Sequence, residues 1–138
     1  MPYPEMMVAP MREDLVRIGF TELRTPEEVD TVLGTERRSL LVVVNSVCGC
    51  AAGMMRPAVY LSLHGDKKPE VLTTVFAGQD TEATERAREY IAGYPPSSPS
   101  VALFKDGELV YMMQRHQIER RHPEDIAADL RTAYEAHC

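Results

Sequence analysis

The stretch Ser39-Leu40-Leu41-Val42-Val43-Val44-Asn45-Ser46-Val47-Cys48-Gly49-Cys50 decides the fold. Residues 39–45 form an unbroken run dominated by Leu and β-branched Val. Such a run reads as a strand, and its lack of polar alternation means burial on both faces, in the middle of a sheet covered by helices. Cys48-Gly49-Cys50 follows at once, and Ala51 to His64 then reads as a helix with Gly65 as its stop. Pro57 lies inside that stretch and should kink it. Two thiols therefore stand where a buried strand turns into a helix.

Upstream, Pro10 to Ile18 is a plausible amphipathic helix with Met11, Leu15 and Ile18 on one face, ended by Gly19. Phe20 to Leu23 is at most a short strand. Thr25-Pro26-Glu27-Glu28 opens a second helix: Thr25 caps it, Pro26 suits its first position and Glu28 completes a capping box. Downstream, Pro69 to Ala77 is a strand rich in Val and Thr, and Thr81 to Ala92 is a helix closed by Gly93. Ser100 to Lys105 and Glu108 to Met112 are strands joined by the turn pair Asp106-Gly107, and His122-Pro123-Glu124 starts a last helix. Alternating strands and helices give an α/β sheet with parallel neighbours, and the hairpin adds an antiparallel pair. A mixed central sheet flanked by helices and ending β-β-α is the thioredoxin-like arrangement, a three-layer sandwich. Residues 1–138 read as one such domain, with no repeat or low-complexity block.

Composition narrows the function classes. The formal net charge of −6 weakens a nucleic-acid reading, since binding phosphates needs a basic surface. Arg115, Arg120 and Arg121 cluster, but they alternate with polar residues and read as a solvated turn. The longest apolar run, Leu40 to Val44, is far shorter than the ~20 residues a bilayer span needs. Met1-Pro2-Tyr3-Pro4-Glu5 lacks the basic start and apolar core of a signal peptide, so the expected compartment is the cytoplasm. Three cysteines, an odd number, do not suit a secreted disulfide scaffold.

The chemistry centres on Cys48 and Cys50. Helix N-termini present free N–H groups and a partial positive charge, and a thiol placed there is stabilised as thiolate, its reactive form. No acidic residue lies between Asn45 and Met55 to oppose this. Cys48 should be the more exposed, lower-pKa thiol and Cys50 the covered one. A Cys48–Cys50 disulfide would close a very small ring, which Gly49 permits because it lacks a Cβ. Three readings of the pair stand: redox chemistry, metal binding with Cys138 and a histidine, or inert core residues. His64, His116, His122 and His137 show no paired ligand spacing. Pro99, just before the strand that starts at Ser100, is either a rigid entry turn or a cis proline that faces the cysteines and presents backbone to substrate. The paired methionines Met54-Met55 read as packing or as an apolar substrate surface. Cys138 reads as an exposed accessory thiol.

Asn45 to Pro57 (Asn-Ser-Val-Cys-Gly-Cys-Ala-Ala-Gly-Met-Met-Arg-Pro), with Pro95 to Ser100 (Pro-Pro-Ser-Ser-Pro-Ser), resembles the bacilliredoxins. Tyr3-Pro4 through Met11-Arg12 to Leu15, and a cysteine close to the C-terminus, resemble them too. The resemblance implies a thioredoxin-like fold and thiol–disulfide exchange, with no tightly bound cofactor. It further implies removal of bacillithiol, a co-substrate, from mixed disulfides on S-thiolated cytosolic proteins, and disulfide isomerase activity. Carried over, Cys48 is the attacking thiol and Cys50 the resolving one, with Gly49 and Pro99 beside the substrate. No nucleic acid or membrane is expected as a partner.

Overall fold

The computed structural model describes residues 2–138. A five-stranded sheet runs in the order β1-β3-β2-β4-β5, with β1 Thr21–Glu22, β2 Leu40–Asn45, β3 Val71–Phe76, β4 Ser100–Lys105 and β5 Glu108–Met113. Strand β3 pairs parallel with both β1 and β2, whereas β2–β4 and β4–β5 are antiparallel. All six residues of β2 are buried, as its unbroken apolar run requires. Its side chains alternate between two cores. Leu41 and Val43 join Val101, Leu103 and Met113 against helices α1 (Glu5–Val16), α3 (Arg56–Ser62) and α5 (Pro123–His137). Leu40, Val42 and Val44 join Ala102 and Phe104 against α2 (Pro26–Leu33) and α4 (Thr81–Tyr90). Three layers result, with β2 in the middle of the middle one. Each fully buried Val or Leu contributes roughly 1.5–3 kcal/mol to that core.

Local signals placed several boundaries. Thr25 Oγ1 accepts the N–H of Glu28 at 3.1 Å, and Glu28 Oε1 accepts the N–H of Thr25 at 3.2 Å, the reciprocal capping box expected there. Asp106 and Gly107 both take positive φ, 57° and 81°, the backbone of a tight two-residue hairpin turn.

Two elements differ from the sequence reading. Helix α1 begins at Glu5 rather than Pro10, so Pro10 lies inside it. Its buried side chains are Val8, Arg12 and Leu15, so that of the expected Met11, Leu15 and Ile18 only Leu15 is fully buried. Arg12 is what pattern reading cannot see. Its guanidinium meets Glu5 at 2.9 Å, Glu22 at 2.9 Å and Asp80 at 2.7 Å and lies 5.3 Å from the ring centre of Phe76. Neutralised three ways, an arginine enters the interior, and its bond to Glu5 ties it to the exposed first turn of α1. The second difference follows the cysteines. The expected single helix is a π-helical turn, Ala51–Met55, followed by α3, with Pro57 in the first turn of α3. Proline has no N–H to give and its ring crowds the carbonyl four residues back. The widened turn, in which Arg56 N–H reaches Ala51 O, absorbs it. Met55 is fully buried in the core and so forms no part of a substrate surface, while Met54 is half-buried.

Candidate active site

Strand β2 delivers the chain to Asn45, and a short loop carries it to Cys48. The carbonyl of Cys48 accepts the N–H of Ala51 at 3.0 Å and of Ala52 at 3.2 Å, the first bonds of the helical run that begins at Gly49. Cys48 is thus the N-cap residue. An N-cap side chain accepts from the backbone two or three residues on. Here the Cys50 N–H points at Cys48 Sγ at 3.4 Å, so the sulfur occupies the place a serine hydroxyl usually fills. All three cysteines are free thiols; Cys48 is half-buried and Cys50 buried.

Electrostatics separate the pair. The Cys48 pKa lies below the usual thiol value because the Cys50 thiol and the N–H groups of Cys50 and Ala51 donate to its sulfur, and because the Arg115 guanidinium is near. Burial pushes the Cys50 thiol up, and the adjacent Cys48 pushes it the same way. The two directions are those expected from position along the helix, with Cys48 the lower-pKa thiol and Cys50 the covered one.

Arg115 is the site residue that pattern reading missed. It opens a 3-10 turn, Arg115–Gln117, straight after β5. Its Nη2 donates to Cys48 Sγ at 3.2 Å, its Nη1 to the carbonyl of Ser98 at 3.3 Å and its Nε to Glu119 at 3.2 Å. Its backbone N–H donates to Ser97 Oγ at 2.7 Å. The residue read as part of a solvated turn is instead a clamp between the thiol and the loop that precedes β4.

That loop carries Pro99. The Ser98–Pro99 bond is cis and Pro99 is buried. Ser98, Ser46, Val47, Cys48 and Arg115 line one cleft, so the proline loop and the thiol share a cavity wall. Gly49 takes no left-handed φ in this dithiol structure, and a Cβ on it would meet nothing within 4 Å. Any need for glycine there belongs to the closed disulfide ring.

Beneath the loop, Arg56 faces inward. Its Nη1 donates to Asn45 Oδ1 at 2.9 Å and to the carbonyl of Ser46 at 3.3 Å, and its Nε to Asp14 at 3.1 Å. Asn45 Nδ2 donates to the Met11 carbonyl at 3.1 Å. Helix α1, the end of β2 and the start of α3 are tied together at the foot of the Cys48 loop. Cys138 lies elsewhere, beside Ser39, Lys67 and Glu70. It is half-buried rather than exposed, and burial raises its pKa. Among the described residues, no group of three or more His, Cys, Asp or Glu side chains could hold a metal ion. Among them too, no helix is long and apolar enough to cross a membrane.

Residues 3–138 match the disulphide isomerase family model. A bacilliredoxin of Salinibacter ruber is 56% identical over 140 residues, which cover 100% of this chain and 82% of that protein. The chain belongs to the bacilliredoxin family. A bacilliredoxin of Bacillus cereus strain ZK is 54% identical over 132 residues, covering 96% of this chain and 91% of the relative. The oxidised mitochondrial thioredoxin 3 of Saccharomyces cerevisiae superposes with a TM-score of 0.54 at 16% identity, over 86% of this chain and 96% of its own, and so shows the thioredoxin fold. Family and fold together make this bacilliredoxin a thiol–disulfide oxidoreductase.

Proposed function

We propose that the protein removes a low-molecular-weight thiol, bacillithiol, from mixed disulfides on cytoplasmic proteins, with Cys48 as nucleophile and Cys50 as resolving thiol. In the first step the Cys48 thiolate attacks the small thiol's sulfur in a protein–S–S–thiol adduct. The old S–S bond breaks, the small thiol is now disulfide-bonded to Cys48, and the protein leaves as a thiolate that takes up a proton. In the second step Cys50, deprotonated, attacks Cys48 Sγ. The small thiol departs and a Cys48–Cys50 disulfide remains; alternatively a second small thiol attacks the sulfur of the bound one, the two leave as a symmetrical disulfide and Cys48 is released as thiolate.

One observation carries the reading: the sulfur of Cys48 accepts both the Cys50 N–H and the Arg115 guanidinium, with its pKa lowered while that of Cys50 is raised. The thiolate is the attacking species, so Cys48 is poised first. Gly49 supports it by leaving the resolving ring free of a side chain, and Pro99 by placing its loop on the cleft wall.

The test is mass spectrometry of C48S and C50S after incubation with a bacillithiol-blocked protein and, separately, a glutathione-blocked one. C50S should hold one small thiol on Cys48, and C48S should hold none. A mixed disulfide on Cys50 in C48S would reverse the roles. A faster reaction with the glutathione adduct than with the bacillithiol adduct would overturn the choice of thiol.

A further inference from the structure

The cleft beside Cys48 has a cavity volume of about 390 Å³. Its walls include Tyr3, Ser46, Cys48, Ser98 and two arginines, Arg88 and Arg115. The two arginines are employed differently. Arg115 spends its Nε on Glu119, its Nη1 on Ser98 and its Nη2 on the thiol. Arg88, on α4, has spent none of its donors on an acid. Ion pairs among the described residues use Arg12, Arg17, Arg24, Arg38, Arg56, Arg86, Arg115 and Arg121, but not Arg88. Its Nε is buried without any hydrogen-bond partner among the described residues.

A buried guanidinium donor without a partner is costly, because water is lost and nothing replaces it. Burial accordingly disfavours the charged form of Arg88, and Glu85, three residues back, offsets this only in part. An anion in the cleft would give the Arg88 guanidinium the counter-charge it lacks and relieve part of that cost. On a chain of net charge −6, a cleft with two guanidiniums and no carboxylate among its lining residues selects for negative charge locally.

We propose that Arg88 is the recognition residue for a carboxylate of the small thiol: the substrate class is an acidic low-molecular-weight thiol, its sulfur at Cys48 and its acid group at Arg88. The inference rests on the exchange mechanism above, in which the small thiol ends up bonded to Cys48. The body of that thiol, rather than the departing protein, must then occupy the cavity next to Cys48. Tyr3 supplies the opposite wall and is fixed there: its N–H donates to Gln79 Oε1 at 2.8 Å, and Gln79 Nε2 donates to its carbonyl at 3.0 Å. A planar guanidinium suits a carboxylate in the two-pronged way a lysine does not.

The experiment uses one carrier protein with a single cysteine, blocked with bacillithiol, with glutathione or with neutral 2-mercaptoethanol, so that the carrier's own contribution cancels. The wild-type protein should prefer the acidic adducts. R88Q should lower the preference for acidic over neutral adducts by about tenfold, or ~1.4 kcal/mol, and R88K should restore only part of it. The acidic adduct that loses more identifies which thiol reaches Arg88. A preference unchanged in R88Q overturns the subsite and leaves the exchange mechanism standing. Failure of the wild type to release any of the three small thiols removes the exchange mechanism itself, and the subsite with it. A second measurement needs no variant. S-methylglutathione, acidic but unable to exchange, should slow alkylation of wild-type Cys48 by iodoacetamide. Absence of protection at millimolar concentration overturns the proposal.

Discussion

Replacing Arg56 with methionine tests whether the Cys48 loop is held from below. Arg56 is 6% exposed, and its guanidinium donates to Asn45 Oδ1, the Ser46 carbonyl and Asp14. Methionine keeps most of the side-chain volume, so the variant removes donors rather than opening a cavity. The loss of Asp14 counts for little, because Asp14 is 43% exposed and water takes over. Asn45 Oδ1 keeps the Ser46 N–H at 2.9 Å and is only partly orphaned. The Ser46 carbonyl loses its donor within a buried loop, at about 1–3 kcal/mol for an unsatisfied acceptor. Relief of the guanidinium's own burial offsets part of the total. The balance is a destabilisation of about 1–3 kcal/mol. With an unfolding entropy of about 2.1 cal/mol/K per residue over this chain, that corresponds to a Tm lower by roughly 3–10 °C. Thermal and urea unfolding of R56M measure it. Iodoacetamide labelling at fixed pH, well below Tm, reports whether Cys48 also loses its low pKa as the loop loosens. A Tm within 2 °C (about 0.6 kcal/mol on the same scale) and an unchanged labelling rate would refute the reasoning.

Four other outcomes are expected. In R115Q the Cys48 pKa should rise towards the ordinary thiol value, so the pH profile of iodoacetamide labelling moves to higher pH and labelling at neutral pH slows; an unmoved profile would leave the Cys50 thiol and the N–H groups of the helix N-terminus as the sources of activation. R12M leaves Glu22 without a cation and Asp80, 12% exposed, with only Arg24 at 3.8 Å, and should cost up to about 3–5 kcal/mol in urea unfolding, the usual loss when one partner of a buried pair is removed. The same cluster fixes a pH dependence: the Glu5 pKa is lowered chiefly by its hydrogen bond with Arg12, so its contribution is present above the unfolded carboxylate value and is lost as pH falls through the folded one. The acid limb of wild-type stability should therefore flatten in E5Q. Cys138, half-buried with a raised pKa, should label more slowly than Cys48 in the native protein, and C138S should keep the exchange rate; lost exchange in C138S with both other thiols intact would make it a third redox thiol.

The sequence by itself determined most of the fold and the place of the two thiols at the candidate site. Seven consecutive residues ending at Asn45 could be satisfied only by a strand covered on both faces, and a cysteine directly after such a strand and before a helix inherits the N-cap position. The capping box at Thr25 and the Asp106-Gly107 turn were equally legible, because each is closed by residues a few positions apart. Buried arginines were not. Nothing local marks Arg12 and Arg56 for burial: carboxylates and carbonyls from distant segments converge on them only in the folded chain. Arg115 shows most plainly what tertiary structure alone decided. The hairpin register shifts by one residue between Leu103 and Phe104 and ends with Val101 opposite Met113. Beyond β5 the chain leaves the sheet in the 3-10 turn that opens at Arg115, and this turn brings the guanidinium to Ser98 and Cys48, 17 and 67 residues away in the chain. No local pattern marks that meeting, because its partners come together only when the sheet and its loops are assembled.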